Sequence, residues 1–185
     1  ILGKDNKPFK TREGALIKLS ELLDEAIARA SKLLQDRKVQ SKNPDIDDAE
    51  LADLAEIIGI GAVKYADLSK NRTSDYVFDW DQMLSFDGNT APYLLYAYSR
   101  TRSIFTRGGI DLIALPERVV TENEAERRLA VAIAGYQDLL EQVAQEGYPH
   151  QLCAYLYELA GRFTQFYEQC PILTSDDTTK TRRLT

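Results

Sequence analysis

Hydrophobic side chains recur at steps of three and four residues along most of this chain, a spacing that places them on one face of an α-helix. Glycine, proline and asparagine cluster before residue 15 and near residue 42, which indicates loops. The predicted helices cover about residues 20–37, 47–68, 90–107, 121–147, 149–170 and 176–185. Large apolar residues alternate loosely between residues 77 and 86 and predict an extended segment. The fold class is therefore mainly α, with one minor extended element before residue 87.

Polar residues and glycines mark the ends of these helices. Ser20 is the predicted N-cap of the first helix, and Asp47 with Asp48 opens the second. Thr121 and Glu124 have the spacing of a capping box. Glycines are expected to interrupt or bend helices at Gly59, Gly61 and Gly135. The helix that follows the capping box has a clean amphipathic stripe, formed by Leu129, Ile133, Tyr136, Leu140 and Val143.

The composition restricts the class of protein and the kinds of site that this chain can contain. The 185 residues, 44% hydrophobic and 28% charged, suit a soluble globular chain of one large or two small domains. No apolar run approaches the ~18 residues of a membrane helix, and the first residues lack the apolar core of a signal peptide. Cys153 and Cys170 would lie ~25 Å apart on one straight helix, so reduced thiols in a cytosolic protein are expected. His150 is the single histidine, and a zinc site is not expected.

The net charge of the chain is −6, which by itself argues against broad affinity for nucleic acid. One stretch of the chain has a different charge balance. Residues 87–104 begin as a polar turn and continue into a helix with three tyrosines and two arginines. No acidic residue occurs between Gly88 and Ile110. Flat aromatic faces beside cations suit the bases and phosphates of an RNA. The alternative is a chance fluctuation of charge on a solvated helix.

The tyrosines of this stretch cannot all share one face. At ~100° per residue, Tyr93 and Tyr96 lie on one side of the helix and Tyr98 lies well off it. Some of them must therefore pack, and some must be partly exposed. Tyr167, near the end of a later helix, is either another packing residue or a second stacking platform. A stack on a base contributes roughly 1–3 kcal/mol, so one or two such rings would matter to binding.

A second cationic segment lies at residues 3–14. It holds Lys4, Lys7, Lys10 and Arg12 between two glycines. A mobile cationic loop can close over a polyphosphate and neutralise charge that develops during phosphoryl or adenylyl transfer. The alternative, which composition alone favours, is a disordered N-terminal tail. The chain has no Walker-type phosphate loop, no nucleophile elbow and no His-Glu-x-x-His motif.

Four segments, taken in chain order, resemble the arginyl-tRNA synthetases of the bacterial type, which are class I enzymes. Residues 3–14 resemble that family's version of the KMSKS loop. The run Gly-Ala-Val-Lys-Tyr-Ala-Asp-Leu at residues 61–68 is similar to the family's helical segment beside the tRNA stem. Residues 87–102 match the start of its DALR anticodon-binding domain, and residues 166–173 and 182–184 match its last helices. The resemblance covers the whole chain.

This resemblance implies two domains and a loop that contacts ATP. Residues 1–87 would be the helical end of a Rossmann-type catalytic domain, and residues 88–185 would form the anticodon-binding helical bundle, truncated at its C-terminus. The loop residues expected to help hold ATP during adenylate formation are Phe9, Lys10, Thr11 and Arg12. Thr11 stands where the commoner class I motif has its second lysine, which implies a weaker phosphate clamp.

The resemblance also implies a surface that binds tRNA. Tyr96 and Tyr167 match family positions that contact bases of the anticodon loop, and the turn at residues 87–92 would approach the anticodon arm. Geometry and charge add Tyr93, Arg100 and Arg102. The complete set of expected tRNA-binding residues is Asn89, Tyr93, Tyr96, Arg100, Arg102 and Tyr167.

The family activates arginine with ATP and Mg²⁺ and transfers it to tRNA-Arg, and it implies a cytoplasmic monomer without a membrane partner. The HIGH motif and the arginine pocket would precede residue 1, and the end of the last helix would follow Thr185. We therefore expect this chain to recognise the anticodon arm, to bind no cofactor and to be inactive alone. The alternatives are a stand-alone helical RNA-binding module derived from a synthetase, and a helical interaction domain with no RNA role.

Overall fold

The structure, a computed structural model, describes residues 2, 18–41, 46–109 and 119–184. Within these residues it contains helices and no named strand, which confirms the mainly α fold class. The helices are α1 Leu19–Ser41, α2 Asp48–Leu68, α3 Trp80–Met83, α4 Ala91–Gly108, α5 Glu124–Ala134, α6 Tyr136–Glu146, α7 Pro149–Gln169 and α8 Asp177–Leu184. The chain divides into two compact units, Ile1–Tyr93 and Leu94–Thr185.

The first unit is built on the packing of α1 against α2. Small residues meet at this contact, and Ala26, Ala30 and Ala55 are at most 1% exposed. Gly59 lies at the closest approach, because a Cβ placed there would be 2.8 Å from both the Cα and the backbone N of Ile27. The core extends from these helices over buried residues that include Ile58, Phe78, Met83 and Leu84.

Helix α2 runs without a break from Asp48 to Leu68, so the prediction that Gly59 and Gly61 interrupt it was wrong. Because Gly59 has no side chain, α1 can pack closely against α2 at this position. The predicted start of α2 is confirmed, because Asp47 is its N-cap and accepts a hydrogen bond from the backbone N–H of Glu50 at 2.8 Å.

Helix α1 differs from its prediction at both ends. The carbonyl of Lys18 accepts the first helical hydrogen bond, from the N–H of Leu22 at 3.1 Å, so Ser20 lies inside the first turn and is not the N-cap. The helix also continues past Arg37 to Ser41. Lysine and glutamine in this last part are good helix formers, so no further apolar position is needed to extend it.

Only part of the predicted extended segment is extended. Val77 forms an isolated parallel bridge with Leu2, and the N–H of Phe78 donates to the carbonyl of Leu2 at 2.7 Å. Residues 80–83 are instead the short helix α3. Asp79 caps it by accepting from the N–H of Asp81 at 2.9 Å, an end signal that the apolar alternation does not contain.

In the second unit α7 packs against both α5 and α6. The N-cap of α5 is Asn123, which accepts from the N–H of Glu126 at 3.0 Å. The predicted capping box at Thr121 and Glu124 was therefore placed two residues too early. The predicted split at Gly135 is confirmed, since this residue ends α5 and precedes α6.

The amphipathic stripe predicted for residues 129–143 is divided by the structure. Leu129 packs against the buried core, and Val143 is half-buried. In contrast, Ile133, Tyr136 and Leu140 are exposed. Because the helix breaks at Gly135, the positions before and after it do not continue along one straight line. Exposed and half-buried apolar residues of this region, including Val119, Val120, Leu129, Val131 and Ile133, line a groove of about 670 Å³.

A buried ion cluster ties α8 to the start of α5. Glu126, only 6% exposed, accepts from the Arg182 guanidinium at 2.8 and 3.0 Å and from Nε of Arg183 at 2.8 Å. Its carboxylate also accepts from the N–H of Glu122 at 2.7 Å. Arg182 in turn pairs with the Glu122 carboxylate at 2.7 Å. A buried carboxylate with this many donors fixes how the last helix docks.

This cluster predicts a loss of stability in acid. Hydrogen bonds from Arg182, and then from the Glu122 N–H and Arg183, lower the pKa of Glu126 from 4.5 to about 2, although burial acts in the opposite direction. Because the folded pKa lies below the unfolded one, the contribution is complete above 4.5 and is lost as the pH falls towards 2. Urea unfolding at about pH 6 and about pH 3 measures it. Equal acid sensitivity in wild type and Glu126→Gln would contradict this assignment.

Candidate nucleic-acid interface

The polar turn before α4 is held by its own hydrogen bonds. Thr90, buried at the start of the helix, accepts from the N–H of Tyr93 at 3.3 Å and donates its hydroxyl to the carbonyl of Ser85 at 2.6 Å. Gly88 has φ +84°, a conformation that favours glycine. The helix predicted from residue 90 thus begins at Ala91, where Thr90 acts as its cap.

Asn89 is exposed in this turn, as is Asp87. Its amide oxygen accepts a hydrogen bond from the hydroxyl of Tyr65 at 2.5 Å. Tyr65 lies on α2, in the run at residues 61–68 that resembles the family, but its sequence position alone indicates no role for it. The two residues are 24 positions apart, and no local spacing could have paired them.

In the second unit, three predicted site residues meet on the surface. The guanidinium carbon of Arg100 lies 4.8 Å from the ring centroid of Tyr96 and 5.0 Å from that of Tyr167. The same guanidinium donates a hydrogen bond to the Tyr96 hydroxyl. Tyr96 is 49% exposed and Tyr167 is 38% exposed. We call Tyr96, Arg100 and Tyr167 the ring cluster.

The ring cluster combines the chemistry that a nucleobase requires. Cation–π attraction holds the guanidinium against both rings, which restricts their rotation, and part of each ring remains exposed. Tyr167 is further supported by Phe163, whose ring centroid lies 6.2 Å away. An unpaired base could stack on an exposed ring while Arg100 attracts the adjacent phosphate. Helix α4 contains no acidic residue that would oppose this attraction.

The remaining predicted residues lie outside the ring cluster. Arg102 is exposed, but it lies two residues after Arg100 and therefore about 200° further around α4. Tyr93 is half-buried in the first turn of α4, within the other compact unit. Tyr98, which the sequence placed on a different face from Tyr96, is 63% exposed. The loop residues Phe9, Lys10, Thr11 and Arg12 lie outside the described residues.

Three further properties of the described residues complete this description. Among them, no group of three or more histidine, cysteine, aspartate or glutamate side chains could hold a metal ion. Cys153 and Cys170 are both buried free thiols, as predicted. None of the helices in the described part of the chain has the length and apolar character of a membrane span.

Comparison with known proteins gives two matches that together cover most of the chain. Residues 1–80 match the family model of the class I tRNA synthetase (R) catalytic domain, and residues 94–185 match that of the DALR anticodon binding domain. The chain is 55% identical to an arginine–tRNA ligase from Marinomonas sp. (strain MWYL1) over 184 residues. It is 57% identical to one from Erwinia tasmaniensis over 187 residues.

The solved structures that resemble this chain are also arginyl-tRNA synthetases. The Thermus thermophilus arginyl-tRNA synthetase matches 99% of this chain with a TM-score of 0.80 and 26% identity. The arginyl-tRNA synthetase from Plasmodium falciparum matches 91% of it with a TM-score of 0.74 and 33% identity. The chain spans 31% of the length of both curated relatives and 30% of both solved chains. It belongs to the class I arginyl-tRNA synthetase family and contains that family's DALR anticodon-binding domain.

Proposed function

We propose that this chain is part of an arginine–tRNA ligase and that its anticodon-binding domain recognises the anticodon arm of tRNA-Arg. The observation that carries the proposal is the ring cluster, in which one arginine and two partly exposed tyrosines meet within the region that matches the DALR model. Residues 1–87 would be the end of the catalytic domain, and residues 88–185 the anticodon-binding domain.

Recognition would combine stacking with attraction of phosphate. Bases released from the anticodon loop would stack on Tyr96 and Tyr167, whose rings Arg100 holds in place. Arg102, on another face of α4, would contribute charge to the phosphate backbone, and Tyr93 would support the start of the helix. Because stacking tolerates any base, discrimination between tRNAs requires hydrogen bonds in addition.

The whole ligase would activate arginine with ATP and Mg²⁺ and transfer it to tRNA-Arg in the cytoplasm, acting as a monomer. Lys10 and Arg12, with Phe9 and Thr11, would help to hold the ATP. We expect no arginine-dependent exchange between ATP and pyrophosphate from this chain alone, because it spans only 31% of the length of the curated ligases it matches.

Binding of this chain to tRNA-Arg and to a non-cognate tRNA, at one stated low salt concentration, tests the proposal. Salt must be fixed because contacts with phosphate weaken steeply as it rises. Tighter binding of tRNA-Arg is the expected result. Equal affinity for both would contradict anticodon recognition, and absence of binding would favour an interaction domain without an RNA role.

Removing either ring of the cluster should weaken this binding about tenfold, because a base–aromatic stack contributes roughly 1–3 kcal/mol. Tyr96→Ala and Tyr167→Ala are the two changes, and Tyr98→Ala is the matched control, since Tyr98 is exposed on the same helix outside the ring cluster. Filter binding gives the affinities, and thermal unfolding checks the fold. The site assignment is wrong if Tyr98→Ala weakens binding as much as the other two.

A further inference from the structure

The turn at residues 87–90 is a rigid platform for one exposed amide. Besides the two hydrogen bonds of Thr90, the N–H of Asp87 donates to the hydroxyl of Ser85 at 3.0 Å, and the N–H of Thr90 donates to the carbonyl of Gly88 at 3.0 Å. These contacts fix the backbone from which the side chain of Asn89 extends. The amide itself is held by Tyr65, from a different helix.

This hydrogen bond gives the amide a direction. A tyrosine hydroxyl has a single proton, which Tyr65 donates to the amide oxygen of Asn89 at 2.5 Å. The nitrogen of an amide lies on the opposite side of its carbon from the oxygen. The two N–H donors of Asn89 therefore point away from Tyr65, and they do so on an exposed residue.

The surroundings favour an acceptor as the partner of this amide. Tyr65, Asn89 and the exposed Lys70 line the same cavity, whose volume is about 50 Å³. That volume holds water molecules and not a nucleotide, so an RNA group would reach the amide from outside the cavity. Lys70 adds three more donors to this surface, while Asp79 lines the same cavity and Asp87 is exposed in the same turn, so the donors of Asn89 and Lys70, and not a net positive charge, favour an acceptor.

We propose that Tyr65 is a positioning residue that orients Asn89, so that the turn presents N–H donors and selects a hydrogen-bond acceptor on the RNA. This inference rests on the proposed function, and it supplies a hydrogen bond that stacking on the ring cluster cannot. If Tyr65 is lost, the amide rotates freely and presents oxygen and nitrogen alternately, which weakens the contact without removing it.

A double-mutant cycle on tRNA-Arg binding tests the positioning role. Tyr65→Phe should weaken binding about threefold and Asn89→Ala about fivefold, the range of one neutral hydrogen bond. The double variant should bind like Asn89→Ala alone, because the proposed effect of Tyr65 on RNA binding is exerted through that amide. Tyr76→Phe is the matched control, as its hydroxyl lines the same cavity but donates to Asp67 at 3.1 Å. Additive losses, or an equal loss in Tyr76→Phe, would overturn the proposal.

The direction of the amide has its own test. Asn89→Asp keeps an acceptor for Tyr65 but replaces the N–H donors with a second oxygen, so it should bind tRNA-Arg more weakly than Asn89→Ala. If Asn89→Asp binds as tightly as wild type, the assignment of donors is wrong.

An RNA-free measurement separates this inference from the proposed function. In ¹⁵N NMR spectra of the chain, the side-chain amide signal of Asn89 should shift in Tyr65→Phe and stay in place in Tyr76→Phe. An unchanged signal in Tyr65→Phe overturns the positioning role, whatever the affinity for RNA. If the signal shifts but wild type does not bind tRNA-Arg, the proposed function fails, and the selection of an RNA acceptor fails with it.

Discussion

Glu126→Gln is expected to destabilise the second unit by about 3 kcal/mol, because it leaves two buried guanidinium groups without their carboxylate. The side chains of Arg182 and Arg183 are only 16% and 12% exposed. Water cannot replace the lost charge at such positions. Arg182 keeps its pair with Glu122, which places the loss at the lower end of the range for a broken buried ion pair.

The control for this change lies two residues earlier on the same helix. Glu124 also contacts two arginines, Arg127 at 2.7 Å and Arg128 at 2.8 Å, but its side chain is 52% exposed. Glu124→Gln should therefore destabilise the unit far less than Glu126→Gln, because solvent screens its ion pairs. Urea unfolding of both variants at neutral pH gives the two free energies. Equal losses would mean that burial does not decide the strength of these pairs.

Gly59→Ala is expected to destabilise the first unit by about 2 kcal/mol, although alanine is the better helix former by about 1 kcal/mol. The new methyl group would lie 2.8 Å from the Cα of Ile27 and 2.9 Å from the backbone carbon of Ala26. These are backbone atoms, so no side chain can rotate away. Helices α1 and α2 would have to move apart along their main contact.

Gly61→Ala is the control, two residues further along α2. The nearest atom to its new methyl group would be the Cβ of Ala91 at 4.0 Å, an ordinary contact distance. This change should leave the free energy of unfolding unchanged or raise it by up to about 1 kcal/mol. If Gly59→Ala is as stable as Gly61→Ala, the close approach of the two helices is incorrect.

The sequence predicted several helix ends and breaks from local signals, although it misplaced the starts of α1 and α5 by about two residues. Asp47 caps α2, Gly135 divides α5 from α6, and α8 begins at Asp177, because caps and breaks depend on residues within one turn of each other. It failed where a distant residue decides. Gly59 was predicted to interrupt α2. A glycine is needed there because the backbone of Ile27, on another helix, lies too close for a side chain.

For the candidate site, too, the sequence identified single residues but not the contacts between distant ones. Composition and family resemblance identified Tyr96, Arg100 and Tyr167 one at a time, from aromatic and cationic character and from motif position. Nothing in their spacing indicated that one guanidinium contacts both rings. Tyr65 received no role because its chemistry depends on Asn89, which only folding brings within hydrogen-bond distance.

By itself, the sequence determined the long helices, many of their ends, the family and the residue types available for contact with RNA. These depend on interactions between neighbours in the chain and on patterns that the family shares. The tertiary structure alone decided which distant side chains act together: Arg100 with Tyr167, Tyr65 with Asn89, and Glu126 with two arginines. Such contacts join residues far apart in sequence, and their distances are set by how the helices pack.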